Sequence, residues 1–177
     1  MKEIEPHGGK LVSRLIGEDE DLSYDVELEI DRDILLNIEQ IATGAFSPLE
    51  GFMNKADFES CINKIRLSNG LIWPIPIVLS DSKKKNDEIK NKGASRAGLI
   101  FDNKLQCILE IEDTYSYDKK KSAKRIFDTD DIRHPGVNKW VSQNDYFVGG
   151  KIKQVLPLEY DFPDYMLTPS QTRDIFK

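Results

Sequence analysis

The sequence predicts an α+β domain, because segments with strand periodicity and segments with helix periodicity both occur along it. Apolar residues alternate with glutamate over residues 26–30, as expected for a half-buried strand. Apolar residues between 34 and 41 instead recur at helical spacing. Two apolar runs, 97–101 and 105–111, flank a short polar turn and form the strongest hairpin pattern in the chain. The length of 177 residues corresponds to one domain, or to one domain and a piece of a second.

Two helices are predicted after the first strand. Asp31 is a suitable N-cap for the first, and Gly44 is a signal for its C-terminal end. Asn54 is expected to cap the second helix. Its apolar side chains share one face: Phe58, Cys61, Ile62 and Ile65. The simplest interpretation of both apolar faces is that they form core.

The turn from Gly44 to Met53 joins these helices and contains two glycines, a proline and several large apolar side chains. Glycine can adopt a positive φ and proline restricts φ, so the turn has a defined shape. Because large apolar side chains need cover, we expect the turn to be held against a core. A packed loop between two helices is the simplest interpretation of the turn alone.

The middle of the chain alternates between apolar and highly charged segments. Residues 71–79 are mostly apolar, but two prolines predict an irregular or edge segment that becomes a strand near Ile77. Residues 80–92 predict a polar surface excursion. Residues 117–127 predict a charged helix whose basic side is solvated. A short helix through Trp140 and a strand over 146–156 follow.

The last segment begins with a clear helix signal. Thr168 is a suitable N-cap, Pro169 occupies the first helical position, and Gln171 completes a capping box. A helix of about ten residues without a C-terminal signal is marginal by itself. We therefore expect that the chain is part of a longer polypeptide, with a natural short protein as the alternative.

Composition and charge limit the classes of function. The net charge of −6 and the pI near 5.1 argue against a nucleic-acid binder, which usually carries a basic surplus. No apolar run reaches the length of a membrane span, and the start of the chain does not have the pattern of a signal peptide. Cys61 and Cys107 lack CxxC spacing and predict free thiols in a reducing cytosol. We expect a cytoplasmic protein.

Chemistry-bearing motifs are absent from the sequence. His7 and His134 are its only histidines, and the two cysteines are not clustered, so a zinc site is disfavoured. The sequence contains neither a Walker-type phosphate loop nor a GxGxxG segment after a strand. We predict no catalytic, cofactor-binding or metal-binding residue in this chain.

Six short elements follow one another over nearly the whole chain. They are Pro6-His7-Gly8-Gly9, Gly44-Ala45-Phe46-Ser47-Pro48-Leu49 with Gly51-Phe52-Met53, Gly70 with Trp73-Pro74-Ile75-Pro76-Ile77, His134-Pro135-Gly136-Val137, Tyr146 with Gly149-Gly150, and Thr168-Pro169 with Arg173 and Phe176. In this order the elements resemble the N-terminal region of the ATP sulfurylase (sulfate adenylyltransferase) family. The resemblance implies a PUA-like mixed β-barrel with flanking short helices over residues 1–160. It also implies that residues 161–177 form a linker and the first helix leading into a catalytic domain outside the sequence.

The family converts ATP and sulfate to adenylyl sulfate and pyrophosphate, with ATP and Mg bound by the enzyme as a whole. The resemblance places this chemistry in the following α/β domain, whose motifs are Gln-x-Arg-Asn and His-x-x-His. Gln171-Thr172-Arg173-Asp174 imitates the first motif but ends in Asp and is not followed by the second. We therefore carry no catalytic role onto it and expect the isolated chain to be inactive.

The resemblance further implies that the chain packs against the catalytic domain and belongs to a homo-oligomer. The residues that we assign to the surface facing that domain are Phe46, Pro48, Leu49, Phe52, His134, Pro135 and Arg173. Two alternatives remain open at this point. One is a stand-alone PUA-like binding module, with RNA as a ligand, and the other is a small scaffold protein without a ligand.

Overall fold

The computed structural model describes residues 4–17 and 20–177. In this part of the chain the helices are α1 (Arg32–Ala42), α2 (Lys55–Lys64), α3 (Lys83–Lys92), α4 (Lys119–Phe127), α5 (Pro135–Ser142) and α6 (Pro169–Ile175). The strands are β1 (Val26–Glu29), β2 (Gly51–Phe52), β3 (Ser80–Asp81), β4 (Arg96–Phe101), β5 (Lys104–Ser116) and β6 (Tyr146–Gln154). A single 3-10 turn, Pro163–Tyr165, precedes α6. The predicted α+β class is confirmed.

The strands form a mixed sheet in the order β1-β4-β5-β6-β2, with β3 paired to β6. β1 and β4 are parallel, whereas β4 and β5 are antiparallel. In the described residues the sheet is open, so the expected closed barrel is wrong. Closure requires the two edge strands to pair, and here the edges are β1, with four residues, and β2, with two.

Contacts divide the chain into two compact units, which are described separately. The first unit consists of Met1–Gly51, Ser95–Glu110 and Lys151–Lys177. The second unit consists of Phe52–Ala94 and Ile111–Gly150. The predicted domain boundary at residue 160 stays a prediction.

The first unit contains the predicted hairpin and first helix, and both are confirmed. β4 and the start of β5 pair from Arg96 opposite Glu110 to Phe101 opposite Lys104. The Asp31 Oδ1 atom accepts a hydrogen bond from the Ile34 N–H at 2.8 Å and so caps α1. The helix then buries its apolar face: Leu35, Ile38, Ile41 and Ala42.

The turn after α1 is held against the N-terminal segment of the first unit. The Ser47 hydroxyl accepts a hydrogen bond from the Val12 N–H at 3.0 Å and donates one to the Gly44 carbonyl at 2.6 Å. Gly44 has a φ of 88°, and a Cβ atom there would lie 2.3 Å from the Val12 carbonyl oxygen. Glycine is required at this position because it adopts a positive φ without strain and has no Cβ atom to collide with the Val12 carbonyl. The prediction that this turn is held against the rest of the unit is confirmed.

The second unit is built around a cluster of aromatic rings. Phe58 of α2 lies 5.6 Å from Phe147, 5.7 Å from Tyr115 and 6.1 Å from Trp140, measured between ring centroids. The polar atoms of this cluster have partners, since the Tyr115 hydroxyl donates to the Met53 carbonyl and the Trp140 Nε1–H donates to a serine hydroxyl. These rings therefore form a satisfied core.

Two sequence predictions for the second unit are wrong in detail, and a third was incomplete. Residues 80–92, expected only as a polar surface excursion, contain the helix α3, which Ser82 caps and Gly93 ends in the left-handed conformation. The strand expected near Ile77 begins only at Ser80. Ile65 is 58% exposed instead of belonging to the buried face of α2, because the helix ends at Lys64 and Ile65 takes a left-handed conformation.

The absence of a side chain at Gly149 lets β6 lie close to the turn before α2. A Cβ atom at this position would come within 2.6 Å of the Asn54 Cα atom and 2.8 Å of the Met53 carbonyl oxygen. Both are backbone atoms, so they cannot move aside without a shift of the chain.

We expect the substitution Gly149→Ala to lower the free energy of unfolding of the second unit by about 2 kcal/mol because of this overlap. The measurement is urea unfolding followed by tryptophan fluorescence, since Trp73 and Trp140 both belong to the second unit. Gly70→Ala is the control, because no atom lies within 4 Å of its Cβ position and only its positive φ is strained. Equal losses for the two variants would contradict the close approach at Gly149.

Candidate functional site

The first unit contains a groove of about 880 Å³ between the C-terminal part of α1 and the last segment of the chain. One side is formed by α1 and the turn after it, and the other by the segment that contains α6. The lining residues are Ile4, Glu39, Gln40, Thr43, Ala45, Tyr160, Met166, Leu167, Thr168, Pro169, Thr172, Arg173, Phe176 and Lys177. The groove therefore combines three segments that are distant in sequence.

α6 begins as the sequence predicts, and its first turn forms part of the groove wall. The Thr168 hydroxyl accepts a hydrogen bond from the Gln171 N–H at 3.3 Å, and Gln171 Oε1 accepts one from the Thr168 N–H at 2.8 Å. This reciprocal pair is the expected capping box. The helix contains seven residues, and none of them is buried.

Glu39 is a carboxylate at the edge of the groove that is only 8% exposed. Its Oε2 atom accepts a hydrogen bond from the Gln154 Nε2–H at 2.6 Å and a longer one from the Leu158 N–H at 3.4 Å. These bonds hold the end of β6 and the segment after it against α1. Burial raises the pKa of Tyr160, and the nearby Glu39 carboxylate raises it further.

Arg173 belongs to the opposite wall of the groove. Its Nη1 atom donates a hydrogen bond to the Ile4 carbonyl oxygen at 2.6 Å, which ties α6 to the beginning of the described chain. Within residues 4–17 and 20–177, no carboxylate forms an ion pair with this guanidinium. Most of the hydrogen-bonding capacity of Arg173 is therefore available to a partner.

The lining of the groove is mainly apolar and carries three charged groups. The Glu39 carboxylate lies on one side, and the Arg173 guanidinium and the Lys177 ammonium lie on the other. This lining does not fit a magnesium–nucleotide complex, because a triphosphate site converges several cations or backbone N–H donors on the phosphates, whereas here Arg173 and Lys177 are accompanied by the Glu39 carboxylate, which would repel phosphate. Nowhere in the described part of the chain do three or more His, Cys, Asp or Glu side chains form a group that could hold a metal ion.

Both cysteines are free and buried, as their spacing predicts for unpaired thiols. Burial raises the pKa of Cys61 to about 11 and the pKa of Cys107 well above its usual range. Because the thiolate is the reactive form, neither side chain is suited to nucleophilic chemistry near neutral pH.

The residues predicted to face another domain differ in their exposure. In the first unit, Phe46 and Pro48 are partly exposed, Leu49 is buried, and Arg173 lines the groove. Leu49 is 5% exposed, so its side chain serves the core of this unit and offers little area to a partner.

In the second unit, Phe52 is also buried, and His134 and Pro135 are exposed at the start of α5. The His134 Nδ1 atom accepts a hydrogen bond from the Val137 N–H at 3.3 Å, so this side chain caps α5. The assignment of all seven residues to an interdomain surface stays a prediction.

Sequence reasoning missed most of the groove. The polar Glu39 inside the apolar pattern of α1 was one available signal, because a buried carboxylate needs partners. The apolar pair Met166 and Leu167 just before the capping box was another.

Comparison with known proteins identifies the fold family. The family model described as "PUA-like domain" matches residues 4–156. The chain belongs to the PUA-like domain family. A solved structure titled "Hexameric APS kinase from Thiobacillus denitrificans" has a TM-score of 0.71 with this PUA-like chain at 24% identity, covering 99% of it and 31% of the other chain. This likeness concerns the fold.

Curated relatives of this PUA-like chain are named sulfate adenylyltransferase. The relative from Halothermothrix orenii is 37% identical over 98% of this chain and 47% of its own length. The relative from Thermococcus onnurineus is 38% identical over 97% of this chain and 46% of its own length. The chain thus spans somewhat less than half the length of the curated relatives it matches.

The helices in the described ranges are too short or too polar to cross a membrane.

We expect Gln154→Leu to lower the free energy of unfolding by about 2 kcal/mol, because it removes the stronger of the two hydrogen bonds to the buried Glu39 carboxylate. Urea unfolding followed by far-ultraviolet circular dichroism measures the change. The control is the double variant Glu39→Leu with Gln154→Leu, which also removes the carboxylate and should recover at least half of the loss. If the Gln154→Leu variant were as stable as the parent chain, the hydrogen bond from Gln154 to Glu39 would not contribute to the free energy of unfolding.

Proposed function

We propose that this chain is the N-terminal, non-catalytic PUA-like domain of a cytoplasmic sulfate adenylyltransferase. The parent enzyme would convert ATP and sulfate to adenylyl sulfate and pyrophosphate. The observation that carries the proposal is the match of almost the whole chain to proteins of that name, each about twice as long. The role of the chain is to pack against the catalytic domain of the same polypeptide.

The chemistry of adenylyl transfer supports this division of labour. Sulfate is a poor nucleophile, so the enzyme must position it and stabilise negative charge at the α-phosphate with converging cations and N–H donors. The groove instead combines a mainly apolar lining with the Glu39 carboxylate, and its cationic side chains are limited to Arg173 and Lys177. We therefore assign ATP and Mg to the other half of the parent protein.

In this proposal the role of the segment Gln171-Thr172-Arg173-Asp174 is structural. It lies in α6, where Gln171 completes the capping box and Arg173 bonds to the Ile4 carbonyl. Both polar side chains are thus used to shape the groove wall, and neither is given a sulfate-binding role.

We also propose that the parent assembles as a homo-oligomer. The APS kinase structure that shares this fold is titled hexameric, and this supports the proposal that the parent protein forms an oligomer. Sedimentation of the parent enzyme measures it directly.

A pyrophosphate-release assay with ATP, sulfate and Mg tests the main proposal. We expect no turnover from the 177-residue chain, because the groups that stabilise the transition state lie elsewhere. A chimera, in which this chain replaces the matching part of the Halothermothrix orenii relative, is expected to release pyrophosphate in a sulfate-dependent way. Omission of sulfate is the control for both proteins. Turnover by the isolated chain, or a folded but inactive chimera, would contradict the proposal.

One observation favours the alternative of an RNA-binding PUA-like module. The outer face of α4 exposes Lys120, Lys121, Lys124 and Arg125. No carboxylate in the described ranges forms an ion pair with any of them. The net charge of −6 weighs against this alternative.

A titration of the chain with structured RNA at two salt concentrations separates the two functions. Under the main proposal we expect only weak binding that does not change when Lys120 and Lys124 are replaced by Glu. Tight binding that falls with salt and is lost in this variant would favour the RNA-binding module, because phosphate contacts release counterions.

A further inference from the structure

We propose that the groove between α1 and α6 receives an amphipathic segment of the catalytic half of the parent polypeptide. The segment would place apolar side chains between Leu167 and Phe176, a hydrogen-bond donor near Glu39, and a carboxylate against Arg173. This inference rests on the proposed function and names the surface through which the chain would perform it.

Exposed apolar side chains line the groove. Phe176 is 76% exposed, Ile4 is 83% exposed, and Leu167 is 48% exposed, and all three line the groove. Single exposed apolar residues are normal on a protein surface, but a contiguous set around one concavity is typical of a contact site. Water is therefore a poor occupant of this groove.

The helix α6 buries none of its residues against the described part of the chain. The helix has seven residues and buries none of them, although its start is fully capped. A helix of this length is not stable by its own hydrogen bonds and needs tertiary packing on an apolar face. The face it offers, with Ile175 and Phe176, has no cover among the residues that the structure describes.

Two of the three charged groups of the groove, Glu39 and Arg173, lack an oppositely charged partner among the described residues. Glu39 accepts hydrogen bonds through Oε2, and no cation in the described ranges pairs with it. Arg173 donates one hydrogen bond to Ile4 and has no carboxylate partner there. A segment with a donor on one side and a carboxylate on the other would satisfy both groups and fix its own direction in the groove.

The catalytic half is the occupant that these observations favour. In the proposed function it follows Lys177, and Lys177 itself lines the groove. The downstream polypeptide would then start beside the groove, and linkage within one chain raises its effective concentration there. A second copy of this chain is the other occupant that the test distinguishes.

Amide hydrogen exchange over residues 170–176 tests the inference in the 177-residue chain and in the chimera with the Halothermothrix orenii relative. We expect exchange in the chimera to be slower by at least about tenfold, because docking protects the α6 hydrogen bonds. The double variant Leu167→Ser with Phe176→Ser should remove most of this protection. Ile132→Ser in the second unit, where Ile132 is 63% exposed, is the matched control and should leave protection unchanged.

The charged contact has its own matched pair of variants. In the chimera, Arg173→Met should reduce the protection of α6 by about threefold, because it removes the guanidinium but keeps the length of the side chain. Arg125→Met changes an exposed arginine on α4 in the same way and should have no effect.

The outcomes separate the inference from the proposed function. A chimera that is active but leaves α6 unprotected would overturn the inference and leave the proposed function standing. A folded chimera that protects α6 but is inactive would count against the proposed function alone. Protection that appears in the 177-residue chain as its concentration rises, together with a dimer in sedimentation that the double variant disrupts, would overturn the inference in favour of a second copy.

Discussion

The buried carboxylate of Glu39 is the constraint on which the candidate site depends. A carboxylate that is 8% exposed must be hydrogen-bonded, and its donors come from Gln154 at the end of β6 and from the backbone of Leu158. Satisfying one group therefore brings the segment after β6 onto α1. That segment leads to Tyr160 and α6, so the hydrogen bonds of Glu39 help to place one wall of the groove.

Several polar side chains of types that can carry chemistry cap the N-terminal ends of helices in this chain. Asp31, Asn54, Asp118 and His134 each accept a hydrogen bond at a helix N-terminus. Both thiols are buried, and the aromatic residues of the second unit fill its core. The structural use of these particular groups agrees with the proposal that the reaction takes place in another part of the parent.

Local features were predicted well where one short segment contains the whole signal. The caps of α1 and α2, the hairpin of β4 and β5, and the capping box of α6 each depend on residues within a few positions of one another. α3 was missed although Ser82 and Gly93 mark its ends, because its charged sequence has little apolar periodicity. The end of α2 was placed too late because Ile65 is apolar, whereas its left-handed backbone exposes it.

The sequence by itself determined the α+β class, the N-terminal caps of α1, α2 and α6 and the resemblance to sulfate adenylyltransferases, since these follow from residue types within short segments. Tertiary structure decided that the sheet is open and that Leu49 and Phe52 are buried. It also decided that Ile4, Glu39 and Arg173 meet around one groove. These three residues are separated by long stretches of chain, and their proximity depends on packing and on the partners of a buried charge. No local pattern contains that information.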